Sequence, residues 1–196
     1  MNAGKVAIVT ILAGSLSIGA AIFGQKWLGE GNLPRLSLGR GAADRIDNLP
    51  DFRLPDIEGH EVQLSSFSGK VVIINYWASW CPPCVREMPM LIRLQEAFDP
   101  SQVQVVGIAI DRLEAVEQFI EGHPVNYPVL IGDVEAVELS RRLGNRLQGL
   151  PFTVIFDHRG RRAFSQVGEV TQATLDTQLQ ALLPKTRVPD TAANGG

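Results

Sequence analysis

Residues Val71 to Trp77 read VVIINYW, a nearly continuous β-branched and aromatic run. A strand with one wet face alternates polar and apolar residues, whereas a run like this one suits a strand covered on both faces. Three residues later comes Cys81-Pro82-Pro83-Cys84. Beyond it, Met88, Leu91, Ile92, Leu94 and Phe98 recur at spacings near three and four, the period of an amphipathic helix. Asp99-Pro100 ends that helix. A buried strand thus turns directly into a helix, and the cysteine pair sits at the turn.

The rest of the domain reads in the same way. Glu61 to Leu64 alternates after the turn signal Glu58-Gly59-His60, which predicts a β-hairpin. Val103 to Ile110 is a second buried strand, and Leu113 to Glu121 a helix closed by Gly122. Val129 to Ile131 is a short strand, and Val134 to Leu143 a helix closed by Gly144. Phe152 to Phe156 and Ala163 to Val167 pair across the turn Asp157-His158-Arg159-Gly160. Thr171 caps a final helix to Leu183. Strands alternating with helices, then a hairpin and a helix, predict an α/β sandwich with a right-handed crossover around the first helix.

The folded domain is expected over residues 49–184. Residues 25–48 hold several glycines and Pro34 without a persistent period and read as a flexible linker. Residues 185–196 read as a flexible tail. Residues 6–24 carry no charge, and at about 1.5 Å per residue they cover about 28 Å, close to the hydrocarbon thickness of a bilayer. Three readings meet there. An uncleaved N-terminal transmembrane anchor explains the length. A cleaved signal peptide explains the short basic start and the small residues Gly19 and Ala21. A buried core helix is the third, and the glycine-rich stretch that follows leaves it nothing to pack on. Lys5 and Lys26 nearly balance, so charge does not settle orientation. The first two readings both export the domain into an oxidising compartment. The formal net charge of −3 and the absence of a basic stripe argue against nucleic acid as a partner.

The chain has two cysteines, Cys81 and Cys84. A disulfide-stapled scaffold needs several bridges, so that class is excluded. At a helix N-terminus, free amides and the helix dipole favour an anion. The Cys81 thiol therefore ionises below the roughly 8.5 of a free cysteine, and a thiolate attacks disulfides. Cys84, one turn in, is placed to resolve the mixed disulfide. Pro82 and Pro83 lack amide protons, which costs little in a first turn. Three other uses of the pair fit less well. Zinc needs two further ligands, and His60, His123 and His158 are not at ligand spacing. A purely structural disulfide here closes too small a loop to constrain much. A peroxidase site needs a proline seven residues and a threonine three residues before its cysteine, and those positions hold Ile74 and Ala78.

Gly69 to Pro89, GKVVIINYWASWCPPCVREMP, and Gly149-Leu150-Pro151-Phe152-Thr153 followed by Asp157-His158-Arg159-Gly160 resemble the TlpA-like and ResA-like branch of the thioredoxin superfamily. The resemblance spans about residues 50–183. It implies a thioredoxin-like three-layer sandwich with an N-terminal β-hairpin and a strand–helix insertion over about Ile120 to Leu143, which shapes partner choice. It implies that Pro151 is cis and faces the cysteines, with Leu150 offering its backbone to an extended substrate. A trans proline opening an edge strand is the ordinary alternative. Pro89 matches the family's kink in the active-site helix. Where thioredoxin has a buried aspartate, this chain has Asn75. The branch instead carries an acid three residues after the second cysteine, here Glu87, which would handle the proton of Cys84. An exposed helix carboxylate is the ordinary alternative for Glu87.

The expected activity is dithiol–disulfide exchange with protein thiols, as a reductant outside the cytoplasm. Cys81 is nucleophile, Cys84 resolving thiol and Glu87 proton carrier. Trp80, Pro82, Pro83, Leu150 and Pro151 contact substrate, with Trp80 as a cap. No cofactor and no metal are needed, because the cysteine pair carries the electrons. The resemblance implies a membrane thiol reductase as electron donor, and the protein is expected to work as a monomer. The rivals are a disulfide-donating oxidase, a cytochrome c maturation reductant and a redox-inactive peptide-binding module. Phe152 stands where the specialised maturation type carries an acid after the proline.

Overall fold

The computed structural model describes residues 45–183. The anchor or signal segment 1–24, most of the linker 25–48 and the tail 185–196 lie outside them. No helix among the described residues is long and apolar enough to cross a membrane.

Chain order is β1 (Arg53–Pro55), β2 (Glu61–Gln63), a 3-10 turn (Leu64–Phe67), β3 (Val71–Trp77), α1 (Pro82–Ala97), β4 (Val103–Ala109) and α2 (Leu113–Gly122). Then come β5 (Val129–Ile131), α3 (Val134–Arg142), β6 (Phe152–Phe156), β7 (Arg162–Val167) and α4 (Gln172–Leu182). β1 and β2 form the expected hairpin. Its turn is held by Asp56 Oδ1, which accepts from the backbone N–H of Glu58 and of His60 at 2.9 Å. The strand stops at Gln63 rather than Leu64. Leu64 turns inward, is wholly buried, and donates its N–H to Phe52 O at 2.8 Å.

The other five strands form one sheet in the order β5-β4-β3-β6-β7. β3, β4 and β5 run parallel, and β6 is antiparallel to both β3 and β7. α1 and α2 carry the chain from β3 to β4 to β5 in one direction. Right-handed crossovers therefore put both on the same face, and α3 returns the chain across the other. The core divides accordingly. Val71, Ile73 and Trp77 pack with Met88, Leu91 and Leu94 of α1, Val116 of α2 and Leu175 and Leu179 of α4. Val72, Ile74 and Tyr76 pack with Leu54, Leu64 and the α3 residues Ala136 and Leu139. The unbroken run VVIINYW is thus apolar because both of its faces are covered.

Caps fix the helix ends. Asp133 Oδ1 accepts from the N–H of Glu135 and Ala136 at the start of α3. Thr171 Oγ1 accepts from Thr174 N–H at the start of α4. Gly144 takes φ +122° just beyond α3. Residues 45–48, within the expected linker, are hydrogen-bonded into the domain. Ile46 N–H donates to Arg142 O at 3.0 Å, and Arg162 N–H to Asp47 O at 2.8 Å. The Arg162 guanidinium also bonds Leu143 O at 2.6 Å and pairs with Asp47.

β5 pairs with residues 107–109 of β4, so among the described residues the lower half of β4 has no strand neighbour on that side. Gln95 of α1, 6% exposed, fills the gap. Its Nε2 donates to Val103 O at 3.2 Å, and its Oε1 accepts from Val105 N–H at 2.8 Å. A side-chain amide thus stands in for a missing strand. Gln95→Leu keeps the volume and strands two buried backbone groups, each costing about 1–3 kcal/mol. The expected loss is roughly 2–6 kcal/mol in urea unfolding. A loss below about 0.5 kcal/mol would show that water replaces the amide.

Candidate active site

The end of β3 delivers the cysteines. The loop 78–80 is braced by Asp111, just past β4, whose Oδ2 accepts from Ser79 N–H at 3.0 Å and from Ser79 Oγ at 2.6 Å. The sequence reading did not single out Asp111, because nothing in its local pattern links it to a loop 32 residues earlier. Trp80 stands out from the braced loop, 67% exposed. Cys81 is the N-cap of α1, and Pro82 and Pro83 open its first turn. The N–H groups of a first turn have no partner within the helix, so prolines forfeit nothing there. Cys81 and Cys84 are both buried and joined by a disulfide. Pro89 lies inside α1.

Glu87 lies one turn beyond Cys84, on the same side of α1. It is 2% exposed, so it is not a solvated helix carboxylate. Its Oε1 accepts from Asn75 Nδ2 at 2.6 Å, and its Oε2 accepts from Val170 N–H at 3.0 Å. Asn75 Nδ2 also donates to Thr153 Oγ1 at 3.1 Å, its register partner on β6. Burial pushes the Glu87 carboxyl up to about 7, while the bonds from Val170 and Asn75 hold it back. The resemblance implies that Glu87 takes the place of the aspartate that is absent at Asn75, and the structure sets the two side chains in direct contact. The structure makes them one unit. An aspartate at position 75 would set a second carboxylate against the first.

The other wall comes from the segment before β6. Asn145, 1% exposed, clamps Gly149 by accepting from its N–H and donating to its carbonyl, both at 2.9 Å. The clamped loop holds Gln148 at φ +50°. Position 149 admits only glycine without rearrangement, since a Cβ there would lie 2.8 Å from Val167 Cγ1. The Leu150–Pro151 bond is cis, and Pro151 O accepts from Gly168 N–H at 2.8 Å. A cavity of about 460 Å³ is lined by Trp80, Cys81, Pro82 and Pro83 together with Asn145, Gln148 and Leu150 of this segment; Cys84 and Pro151 are not among its lining residues.

Comparison with known proteins agrees with this geometry. Residues 46–162 match the AhpC/TSA family. Thiol-disulfide oxidoreductase ResA of Geobacillus kaustophilus is 31% identical over 136 residues, 69% of this chain and 76% of that protein. The crystal structure of a thiol:disulfide interchange protein of the thioredoxin family from Chlorobium tepidum TLS is 26% identical, with a TM-score of 0.60. The match covers 70% of this chain and 97% of that one. A thioredoxin-related protein from Neisseria meningitidis serogroup B is 30% identical with a TM-score of 0.60, covering 66% and 97%. The chain belongs to the AhpC/TSA family, as a ResA-like thiol–disulfide oxidoreductase of thioredoxin-like fold. Within that family it carries Ile74 and Ala78 in place of the peroxidase proline and threonine.

The Glu87 environment makes stability depend on pH. The folded protein keeps this proton to about pH 7, whereas the ordinary value for the unfolded chain is 4.5. The folded state therefore binds the extra proton within that window. Its stability is full below the window and falls as pH rises through it, by roughly 3 kcal/mol in all. Urea melts of the oxidised protein from pH 4.5 to 8 measure the fall. Glu87→Gln is expected to flatten that part of the profile. An unchanged slope in the variant would contradict the assignment.

Proposed function

We propose that this oxidoreductase reduces disulfides of protein substrates outside the cytoplasm, with Cys81 as the attacking thiolate. The observation that carries the reading is the placing of Cys81 at the N-cap of α1, joined to Cys84, with buried Glu87 one turn further on. Helix N-terminal amides stabilise the thiolate. The thiolate attacks one sulfur of the substrate disulfide and forms a mixed disulfide, releasing the first substrate thiolate. Cys84 gives up its proton and attacks Cys81 Sγ. The second substrate thiolate leaves, and the Cys81–Cys84 disulfide closes. Two electrons pass to the substrate. Glu87, whose carboxyl sits near neutrality, accepts the Cys84 proton, since an acid–base group works best with a pKa near the working pH.

Trp80 covers the attacked sulfur, Pro82 and Pro83 shape the approach, and Leu150 and Pro151 hold an extended substrate segment. A membrane thiol reductase restores the dithiol, and residues 6–24 tether or export the domain. The protein acts as a monomer and carries no cofactor or metal for this chemistry.

Trapping tests the reading. The reduced full chain with Cys84→Ser, mixed with an oxidised protein such as insulin, is expected to accumulate a mixed disulfide on Cys81. Cys81→Ser is expected to form none and to lose turnover by at least about a thousandfold, because no thiolate remains at the helix end. Equal trapping by the two variants would overturn the assignment of roles. Full function of the double variant in its host would leave a peptide-binding module instead.

A further inference from the structure

Three consecutive residues between β7 and α4 reach three different parts of the active-site region. Gly168 N–H donates to Pro151 O at 2.8 Å. The Glu169 carboxylate accepts from both Nε and Nη2 of Arg86 on its Oε2, at 3.2 and 2.8 Å. Val170 N–H donates to Glu87 Oε2 at 3.0 Å. Gln166 Nε2 closes the turn by donating to Glu169 O at 2.9 Å. Arg86 and Glu87 are neighbours on α1, and Glu169 and Val170 are neighbours in the turn. The ion pair at the surface and the buried Val170–Glu87 bond therefore lie side by side. An exposed ion pair adds little to stability, but a guanidinium that donates twice to one carboxylate fixes where the two chain segments meet. Among the described residues, the charged and titratable groups around Glu87 are Cys84 and Arg86 on α1, Glu169 in the turn and Tyr127 ahead of β5. β3 and β6 present the neutral Asn75 and Thr153. Burial raises the Glu87 carboxyl, and the Val170 N–H is the strongest influence opposing that rise. It is a backbone group, so its reach to Glu87 depends on where the turn lies and not on the side chain at position 170.

We propose that Arg86 and Glu169 are positioning residues for the proton acceptor of the exchange reaction: their pair holds the turn 168–170 against α1 and so keeps Val170 N–H on the Glu87 carboxylate. The inference rests on the exchange reading above and names what keeps Glu87 ready to take the Cys84 proton. A donor on the carboxylate favours its ionised form. With the turn held, Glu87 is free of its proton near neutrality and accepts one. With the turn released, Glu87 loses that donor, keeps its proton to higher pH and accepts poorly at neutral pH.

Two variants separate the hold from mere charge. Glu169→Gln and Glu169→Met both remove the carboxylate, but the glutamine carbonyl still accepts from Arg86 and methionine does not. The readout is the infrared band of the protonated Glu87 carboxyl in the oxidised full chain, identified by its loss in Glu87→Gln and titrated from about pH 5.5 to 9. The midpoint of the Met variant is expected about one pH unit above that of the Gln variant. Arg86→Leu breaks the same hold from the α1 side. Its midpoint is expected above that of the unaltered protein, and it decides the matter if Glu169→Met fails to fold. Single-turnover reduction of insulin at pH 6.5 by the pre-reduced chain is expected to be about fivefold slower in the Met variant than in the Gln variant. Equal midpoints in the Gln and Met variants, or an unmoved midpoint in Arg86→Leu, would overturn the positioning role. If the midpoints separate as expected but no protein reduces insulin, the unaltered chain included, the exchange reading falls and the hold on Glu87 stands.

Discussion

β3 is buried along its whole length, with no residue from Val71 to Trp77 more than 1% exposed. That constraint sets the register of everything around it. A slip of one position would move each side chain to the opposite face of the sheet. It would carry Asn75 out of reach of both Thr153 and Glu87. Asn75 is the one carboxamide in the strand, and burial obliges it to find partners. It finds Thr153 on β6 and Glu87 on α1. Glu87, buried in turn, takes the N–H of Val170 just before α4. One sequence of polar obligations thus ties the central strand to α1, to β6 and to the entry of the last helix.

The two faces of the sheet divide the work. On the α1 face lie Cys84, Glu87 and the groups that set its proton affinity. On the α3 face lies the cavity with its uncharged lining. Cys81 belongs to both, packed in the α1-side core and exposed to the cavity. α3 falls in the segment that resembles the branch's insertion, and its Val137 and Ser140 line the cavity beside the nucleophile.

Much of this was legible in the sequence, for definite physical reasons. The run VVIINYW points to a doubly covered strand, since it is β-branched, aromatic and short and does not alternate as a strand with one wet face would. Cys81 and Cys84 were identifiable because a Cys-x-x-Cys pair after a buried strand has few other uses. The cis geometry at Pro151 came from resemblance, and the structure has it. What stayed hidden depends on contacts distant in the chain. Gln95 completes the edge of β4 only because β5 is short, a fact of tertiary pairing. Asp111 braces Ser79 from the loop just past β4. The burial of Glu87 could not be read from helical position alone, which suits an exposed acid equally well. Residues 45–48 carry no periodic pattern, yet they join the domain through backbone bonds that any sequence can make. Tyr76 reads as one more core aromatic, and sequence does not show that its hydroxyl has no hydrogen-bond partner among the described residues.

The direction of electron flow is the claim on which the account turns, and the reduction potential of the Cys81–Cys84 couple tests it most directly. The full chain is equilibrated against glutathione and then dithiothreitol buffers, and the dithiol fraction is read by alkylation. The account predicts a value near the roughly −270 mV of a thioredoxin-type reductant. A value near the roughly −120 mV of a strong disulfide donor would contradict it. The protein would then be an oxidase built on the same two cysteines.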